Sequence, residues 1–165
     1  MIRVSGGEIR GRRILTPGDM IRPTQEKVRQ ALFSCLAEKT PGCRFLDLFA
    51  GSGAVGLEAW SRGASFVCWV ERDPRVAGVL KQNVASLCVP SEGREGKVAC
   101  DGKTRVVMTD AGRFASKAGF DEPFDIIFAD PPYAVGRRDE WLTMMAESAG
   151  EVMGNLFAAF NNSHV

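Results

Sequence analysis

The stretch at residues 44–63 constrains the fold of this chain more than any other. An apolar run, RFLDLF, leads into a turn with three glycines in the pattern G-x-G-x-x-G, and a helical segment follows that Gly63 ends. Glycine allows a positive φ and lets a ligand approach the backbone closely, so the pattern predicts a strand, a ligand-binding turn and a helix. The three glycines are Gly51, Gly53 and Gly56.

Strands and helices alternate along the rest of the chain. Repeated βαβ units of this kind favour an α/β fold, Rossmann-like, with a doubly wound and mostly parallel sheet. The predicted strands are 44–49, 65–70, 105–109 and 124–129, and the predicted helices begin near Thr24, Ala54, Pro74 and Ala111.

Two of the helices have apolar faces that predict how they meet the core. In each, apolar residues recur three or four positions apart. Residues 88–104, which are polar and contain glycine, are predicted to form a long loop after the second of these helices. The apolar face of the helix that begins near Thr24 is Val28, Ala31, Leu32, Cys35 and Leu36. The apolar face of the helix that begins near Pro74 is Val76, Val79, Leu80, Val84 and Leu87.

Composition limits the class of protein. The chain has 165 residues, 45% of them apolar and 25% charged, which is typical of one soluble globular domain. No run approaches the ~18 apolar residues of a membrane span, and the first residues lack the apolar core of a signal peptide. We therefore expect a cytoplasmic protein without membrane contact.

Cysteine and histidine usage argues against metal and imidazole chemistry. The cysteines have no C-x-x-C pair, and Cys35, Cys43 and Cys68 lie in or beside apolar runs, which predicts reduced, packed thiols. The single histidine, His164, is next to the last residue. A triad or zinc site built on a histidine inside the fold is nearly excluded, and no metal is expected.

The amino-terminal segment is basic. Residues 1–30 contain seven Arg or Lys and three acidic residues, a net charge of +4, whereas the whole chain carries +1. Apolar residues separated by glycines predict a hairpin arm. Such a patch on a near-neutral body suggests a binding surface for a polyanion, although a solvated charged hairpin is an equal alternative.

Acidic residues stand at or near the carboxyl ends of all four predicted strands. The glycine turn alone fits a nicotinamide dehydrogenase, a nucleotide-binding module or a methyltransferase, and Glu71 could hold the hydroxyls of a ribose in either type of cofactor. A rim of four acids would repel a pyrophosphate but attract a sulfonium with an α-amino group. Any one of them, alone, is more often a helix N-cap. The four are Asp47, Glu71, Asp110 and Asp130.

The fourth strand ends in Asp-Pro-Pro-Tyr, residues 130–133. The prolines stop the strand because they cannot donate to a sheet ladder. Asp130 is therefore predicted at the edge where open α/β sheets bind ligands, with an ordinary Pro-Pro turn and a solvated Asp as the alternative.

In order, LDLFAGSGAVGLEA, VERDP, the Asp after the third strand and DPPY resemble the motifs of class I S-adenosylmethionine-dependent methyltransferases. More narrowly, VSGGEIRGRRILTP followed by RPTQEKVRQALF resembles the RsmD family, bacterial enzymes that methylate a guanine N2 amine in small-subunit (16S) ribosomal RNA. The resemblance covers about residues 1–145, and RPT-x-x-x-VR-x-x-LF is the pattern that narrows it. DPPY itself is shared with DNA amino-methyltransferases.

The resemblance implies that residues 1–21 form an RNA-contacting arm and residues 22–165 a single methyltransferase domain. Arg22 and Thr24, with Pro23, would close over the methionine end of S-adenosylmethionine. Phosphate contacts are implied for Arg3, Arg10, Arg12 and Arg13. The implied cofactor-binding residues are Arg22, Thr24, Asp47, Phe49, Gly51, Gly53, Glu71, Arg72, Asp110 and Asp130.

The implied chemistry needs hydrogen-bond acceptors. A guanine amine is a poor nucleophile because its lone pair is delocalised into the ring. The Asp130 carboxylate and the Pro131 carbonyl can accept its two N–H groups, and the prolines hold these acceptors in place. Tyr133 can stack on a base taken out of its stack. The implied catalytic residues are Asp130, Pro131 and Tyr133.

Three functions follow as alternatives. The first is guanine-N2 methylation of ribosomal RNA, free or in the assembling small subunit; the second is a DNA or protein amino-methyltransferase; the third is a non-catalytic RNA-binding module. The third is considered because a full sheet of this class has seven strands, whereas only GNLFAAFNNSHV follows the helix DEWLTMMAESAG. We expect NLFAAF to pair beside the fourth strand as an exposed edge, which would lower stability and invite self-association.

Overall fold

The computed structural model describes residues 2–18, 26–88, 103–117, 123–130 and 158–159. Its strands are β1 (Ile2–Arg3), β2 (Arg13–Ile14), β3 (Arg44–Leu48), β4 (Phe66–Glu71), β5 (Thr104–Met108), β6 (Ile126–Ala129) and β7 (Ala158–Ala159). Its helices are α1 (Glu26–Cys35), α2 (Ala54–Ser61), α3 (Pro74–Leu87) and α4 (Ala111–Lys117).

Five strands form one sheet in the order β5-β4-β3-β6-β7, and every neighbouring pair is parallel. The chain starts this sheet at its middle strand, β3, builds outward through β4 to β5, and then returns to the other side of β3. This reversal of direction is the doubly wound topology that the alternation of strands and helices predicted. The predicted pairing of NLFAAF beside the fourth strand is confirmed at Ala158 and Ala159, the residues of this segment that the structure describes, because β7 pairs with β6.

Apolar residues cover both faces of the sheet. On one face, α1, α2 and α3 pack with the amino-terminal segment on Phe45, Val67, Trp69 and Phe128. On the other face, α4 packs on the alternate residues of the same strands, among them Leu46 and Val70. Because successive side chains of a strand point to opposite faces, the two sets interleave along each strand. The three-layer arrangement of an α/β fold results.

The amino-terminal hairpin is confirmed. Strands β1 and β2 pair antiparallel, with Ile2 opposite Ile14 and Arg3 opposite Arg13. Val4 and Ile14 are buried in the core that the three helices share with the sheet. The hairpin therefore packs on the body of the fold; its treatment as a separate RNA-contacting unit, residues 1–21, stays a prediction.

The buried face of helix α1 matches the predicted one only in part: Leu32 and Leu36 pack in the core as expected. Its buried residues are Arg29 and Phe33, followed by Leu36 just beyond the helix, whereas Ala31 and Cys35 are exposed. Phe33 stacks on Phe45 of β3, with ring centroids 6.1 Å apart. The apolar pattern was misleading because a charged residue, Arg29, takes part in the buried face.

The described cysteines are free thiols. Cys43, Cys68 and Cys88 are buried, whereas Cys35 is exposed, so the prediction of a packed thiol was wrong for Cys35. Burial raises the pKa of Cys43 and that of Cys68 to about 12. Both thiols are therefore protonated and inert at neutral pH.

Candidate active site

Strand register brings three of the predicted site residues to one edge of the sheet. Leu48 of β3 is opposite Val70 of β4 and Ala129 of β6. The next residues along the three strands are Phe49, Glu71 and Asp130. The strands are parallel and ~4.8 Å apart, so these three residues lie side by side at the carboxyl edge. Two of the four acids of the predicted rim, Glu71 and Asp130, therefore lie at this edge, on either side of Phe49.

Asp47, a third acid of the predicted rim, lies two residues before Phe49 on β3 and is buried, with 1% of its surface exposed. Its Oδ2 accepts a hydrogen bond of 2.9 Å from the backbone N–H of Gly56, in the first turn of α2. A carboxylate beside a helix N-terminus is favourable because the first N–H groups of a helix lack partners within the helix. The helix has no side-chain cap of its own, since Gly53 occupies the cap position.

The pKa of Asp47 is raised well above its ordinary value, first by burial and then by the negative charges of Asp130 and Glu71, while the Gly56 hydrogen bond opposes this. The negative charges of Asp130 on β6 and Glu71 on β4 thus act on Asp47 between them. These charges disfavour ionisation of Asp47 and favour a cation placed beside it.

Glu71 is buried at the end of β4 and joins two turns. Its Oε2 accepts from the N–H of Gly51 at 3.0 Å, and its Oε1 accepts from the N–H of Asp73 at 2.9 Å. Each carboxylate oxygen has a second lone pair, so both can accept a further hydrogen bond from a ligand hydroxyl. The side chain is therefore fixed in orientation and still able to bind.

The glycine turn has an unusual backbone. Phe49, Gly51 and Gly53 have positive φ angles of 60°, 56° and 82°. Phe49 is the only non-glycine residue of the described chain with a positive φ, a conformation that side chains with a Cβ rarely adopt. Strain of this kind concentrates at ligand sites, which supports the prediction that this turn binds a ligand.

Close packing accounts for the other property of these glycines. A Cβ on Gly56 would overlap the indole of Trp69, and a Cβ on Gly53 would overlap the side chain of Leu80. The Trp69 indole N–H donates to the Gly53 carbonyl at 3.3 Å. The pattern therefore lets α2 begin directly against β4, in addition to any approach of a ligand.

Asp110 serves as a helix cap. Its Oδ1 accepts from the backbone N–H groups of Gly112 and Arg113, at 3.0 and 3.3 Å, at the start of α4. This is the cap alternative that the sequence left open, and the implied contact of Asp110 with a cofactor stays a prediction. Arg72 is exposed directly after Glu71, and its contact with a cofactor is likewise untested.

Several predicted site residues lie outside the described part of the chain. They are Arg22, Pro23, Thr24, Pro131 and Tyr133, together with most of the predicted loop at 88–104.

A buried carboxylate, Glu58 of α2, anchors the first half of the hairpin. It accepts from the N–H of Ser5 at 2.8 Å and from the Ser5 hydroxyl at 2.7 Å. Arg62 forms an ion pair with it at 2.9 Å, and Arg29 of α1 approaches to 4.0 Å. Arg29 in turn donates to the carbonyl of Arg3 at 2.6 Å. Sequence reasoning did not identify Glu58 or Arg29 as structural residues: both lie inside the motifs quoted above, but those motifs assign neither of them a role.

The glycines at the tip of the hairpin rest on the end of α2. A Cβ on Gly7 would overlap the backbone of Ser61, and the N–H of Glu8 donates to the Ser61 carbonyl at 2.7 Å. The second half of the hairpin is held by Asn83 of α3, which bonds both backbone groups of Leu15. The hairpin is therefore fixed at both ends.

The arginines of the hairpin face solvent. Arg3, Arg10, Arg12 and Arg13 are all exposed, and Arg3 also donates to the Gly11 carbonyl at 2.6 Å. Arg29, by contrast, was counted in the basic amino-terminal charge, but its burial removes it from any surface patch.

Among the described residues, no group of three or more His, Cys, Asp or Glu side chains is arranged to hold a metal ion. No helix in this part of the chain is long and apolar enough to cross a membrane.

A doubly wound parallel sheet, a strained glycine turn after its middle strand and an acidic carboxyl rim together define a Rossmann-like methyltransferase of class I. Solved structures agree: the Escherichia coli methyltransferase yhhF superposes with a TM-score of 0.72 at 35% identity, covering 89% of this chain and 72% of that one.

The family model described as "Conserved hypothetical protein 95" matches residues 2–156. Ribosomal RNA small subunit methyltransferase D of Escherichia coli K12 is 36% identical over 89% of this chain and 68% of the relative. The protein of the same name from Haemophilus influenzae is 31% identical, over 89% and 72%. The chain belongs to this family of methyltransferases, the RsmD family.

Proposed function

We propose that the chain transfers a methyl group from S-adenosylmethionine to the exocyclic N2 amine of a guanine in small-subunit ribosomal RNA. The observation that carries this proposal is the cluster of Asp47, Glu71 and Asp130 around the glycine turn, in a chain whose relatives are named ribosomal RNA small subunit methyltransferase D.

The cofactor proposal rests on charge and on hydrogen-bonding capacity. S-adenosylmethionine supplies an electrophilic methyl group on a sulfonium and also carries an α-amino group, a ribose and an adenine. The mutually repelling carboxyls suit the two cationic groups, and Glu71 has lone pairs left for ribose hydroxyls. Phe49, Gly51 and Gly53 give the turn a backbone that a ligand can approach. Arg22, Thr24, Arg72 and Asp110 complete the proposed cofactor site.

The catalytic proposal centres on Asp130. Its carboxylate would accept one N–H of the guanine amine and so direct the amine's lone pair toward the methyl group. The Pro131 carbonyl would accept the other N–H, and Tyr133 would stack on the base. Neither role needs a metal or a histidine. The half-buried position of Asp130 beside Asp47 supports this arrangement, because the acceptor is in place before the base arrives.

The RNA proposal rests on the hairpin, taken as the arm of residues 1–21. Its exposed arginines lie on the same side of the sheet as α1, α2 and α3, and the same side receives Asp47 by strand alternation from Phe45. An RNA whose phosphates bind these arginines would present a neighbouring base to the rim. Ribosomal RNA, free or in the assembling small subunit, is the proposed partner, and a cytoplasmic location follows from that partner.

The test is transfer of labelled methyl from S-adenosylmethionine to total RNA, DNA and protein from cells that lack this enzyme. We expect label in small-subunit ribosomal RNA only, and in N2-methylguanine after digestion. Label in DNA or protein would support the amino-methyltransferase alternative, and no label with intact cofactor binding would support a binding module.

A further inference from the structure

We propose that Asn83 is a positioning residue: it fixes the end of the hairpin arm against the glycine turn, so that RNA-binding arginines and catalytic rim keep one relative geometry. The expected effect on kcat rests on the proposed function, whereas the expected effect on how firmly the arm is held does not.

Asn83 lies on α3, outside every motif, and is completely buried. Its Oδ1 accepts from the N–H of Leu15 at 2.9 Å, and its Nδ2 donates to the carbonyl of Leu15 at 2.9 Å. The same Nδ2 donates to the carbonyl of Ser52 at 2.9 Å. Both N–H bonds of the amide and one acceptor site are thus used, and they join the arm, α3 and the turn.

The two carbonyls that Asn83 joins belong to the glycine turn and to the arm. Ser52 lies in the glycine turn, between Gly51, which donates to Glu71, and Gly53, the N-cap residue of α2. Leu15 directly follows β2, the strand that carries Arg13 and continues from Arg12. The Leu15 side chain is 51% exposed, so its own burial does little to hold this end of the arm. Buried Ile14 anchors this end of the arm in the core, and the backbone bonds from Leu15 to Asn83 connect it to the glycine turn.

Neither aspartate nor serine can replace this amide. Aspartate would keep an acceptor for the Leu15 N–H but would set an oxygen against the carbonyls of Leu15 and Ser52. Serine offers one donor and leaves a carbonyl without one. Glu58, which holds the other end of the arm, bonds to Ser5 far from the turn, so it lacks this second connection.

The experiment compares Asn83→Asp and Asn83→Ser with Leu87→Ala, a matched control. Leu87 is buried one turn further along α3 and contributes only apolar packing, so the control lowers stability without removing a bond to the arm or turn. Thermal melting of all three variants identifies a temperature at which each is folded.

Two readouts are then taken at that temperature. The first is the rate of tryptic cleavage after Arg10, Arg12 and Arg13, followed by mass spectrometry, which needs no assumption about function. The second is kcat for RNA methylation at saturating RNA and S-adenosylmethionine. We expect Asn83→Asp to raise the cleavage rate about tenfold and to lower kcat by roughly 10–100-fold, since small misplacements of reacting groups are costly. The cleavage rate and kcat of Asn83→Ser should lie between those of Asn83→Asp and the wild type. Both values for Leu87→Ala should match the wild type.

Equal cleavage in Asn83→Asp and Leu87→Ala would overturn the inference, and so would faster cleavage with an unchanged kcat. Should Asn83→Asp not fold, Asn83→Ser is judged by the same two criteria. If the wild type methylates no RNA, the proposed function fails, and the cleavage rates alone then decide whether Asn83 holds the arm.

Discussion

The rim and the arm handle charge in opposite ways. At the rim, Asp47, Glu71 and Asp130 are partly or wholly buried, and the pKa of Asp47 is raised first by burial and then by the negative charges of Asp130 and Glu71. On the arm, the arginines are exposed to solvent, while the charged group that holds the arm, Glu58, is buried beside the buried Arg29. Interactions at the rim act over short distances in a low dielectric, whereas those of the arm act over longer distances and are screened by salt. The rim is thus suited to select a ligand, and the arm to attract one.

The largest expected effect follows from removing the proposed acceptor at the rim. Asp130→Ala should lower kcat for methyl transfer by roughly 10²-fold or more, the size found for one well-placed catalytic hydrogen-bond partner. Cofactor affinity, measured by calorimetry, should stay within a few-fold, because the glycine turn and Glu71 remain. Turnover at the wild-type rate would show that the rim does not act on the amine.

The next effect concerns Glu71. Glu71→Ala removes acceptors for a ribose and two bonds to the backbone of Gly51 and Asp73. We expect S-adenosylmethionine to bind about 10–100-fold more weakly, as for a lost hydrogen bond to a charged group.

Asp73→Ala is the matched control for Glu71→Ala. Asp73 is the neighbouring acid that caps α3, through bonds to the N–H groups of Arg75 and Val76. Its loss should cost about 1 kcal/mol of stability and leave cofactor affinity unchanged. A Glu71→Ala defect confined to RNA binding would contradict the assignment.

The arm should show a smaller effect that depends on salt. Replacing Arg10, Arg12 and Arg13 with Gln should weaken RNA binding and flatten the log–log salt dependence by roughly one unit per lost phosphate contact. Replacing Lys27, Lys81 and Lys103, which are exposed elsewhere, makes the same change in net charge. Equal slopes for the two triple variants would mean that the arm arginines are an ordinary solvated surface.

The smallest effect is the pH dependence of stability. The folded-state pKa of Asp47 is raised, so the protonated form is favoured in the folded protein. The free energy of unfolding therefore falls as the pH rises above about 4, the ordinary pKa of an aspartate. Asp47→Asn should flatten this fall, because asparagine still accepts from Gly56 and cannot ionise. Urea unfolding at pH 5 and pH 8 measures the free energy of unfolding of both proteins. The same change with pH in Asp47→Asn and in the wild type would show that Asp47 is ionised throughout.

The sequence predicted the rim better than the arm, and the physical reason is distance along the chain. Phe49, Glu71 and Asp130 each follow an apolar run, and parallel pairing brings the ends of such runs together. The bonds from Glu58 to Ser5 and from Asn83 to Leu15 join residues 53 and 68 positions apart. No periodicity encodes such contacts, and Arg29 even contradicts the apolar pattern of its helix.

The close fit of Gly56 against Trp69 has a consequence for the descent of this family. The indole fills the space that a side chain on Gly56 would occupy, so the two positions share one volume. A change at either position alone leaves an overlap or a cavity, and both destabilise the fold. Relatives that carry alanine at the position of Gly56 should therefore carry a smaller residue than tryptophan at the position of Trp69. The residues at these two positions should therefore change together among relatives.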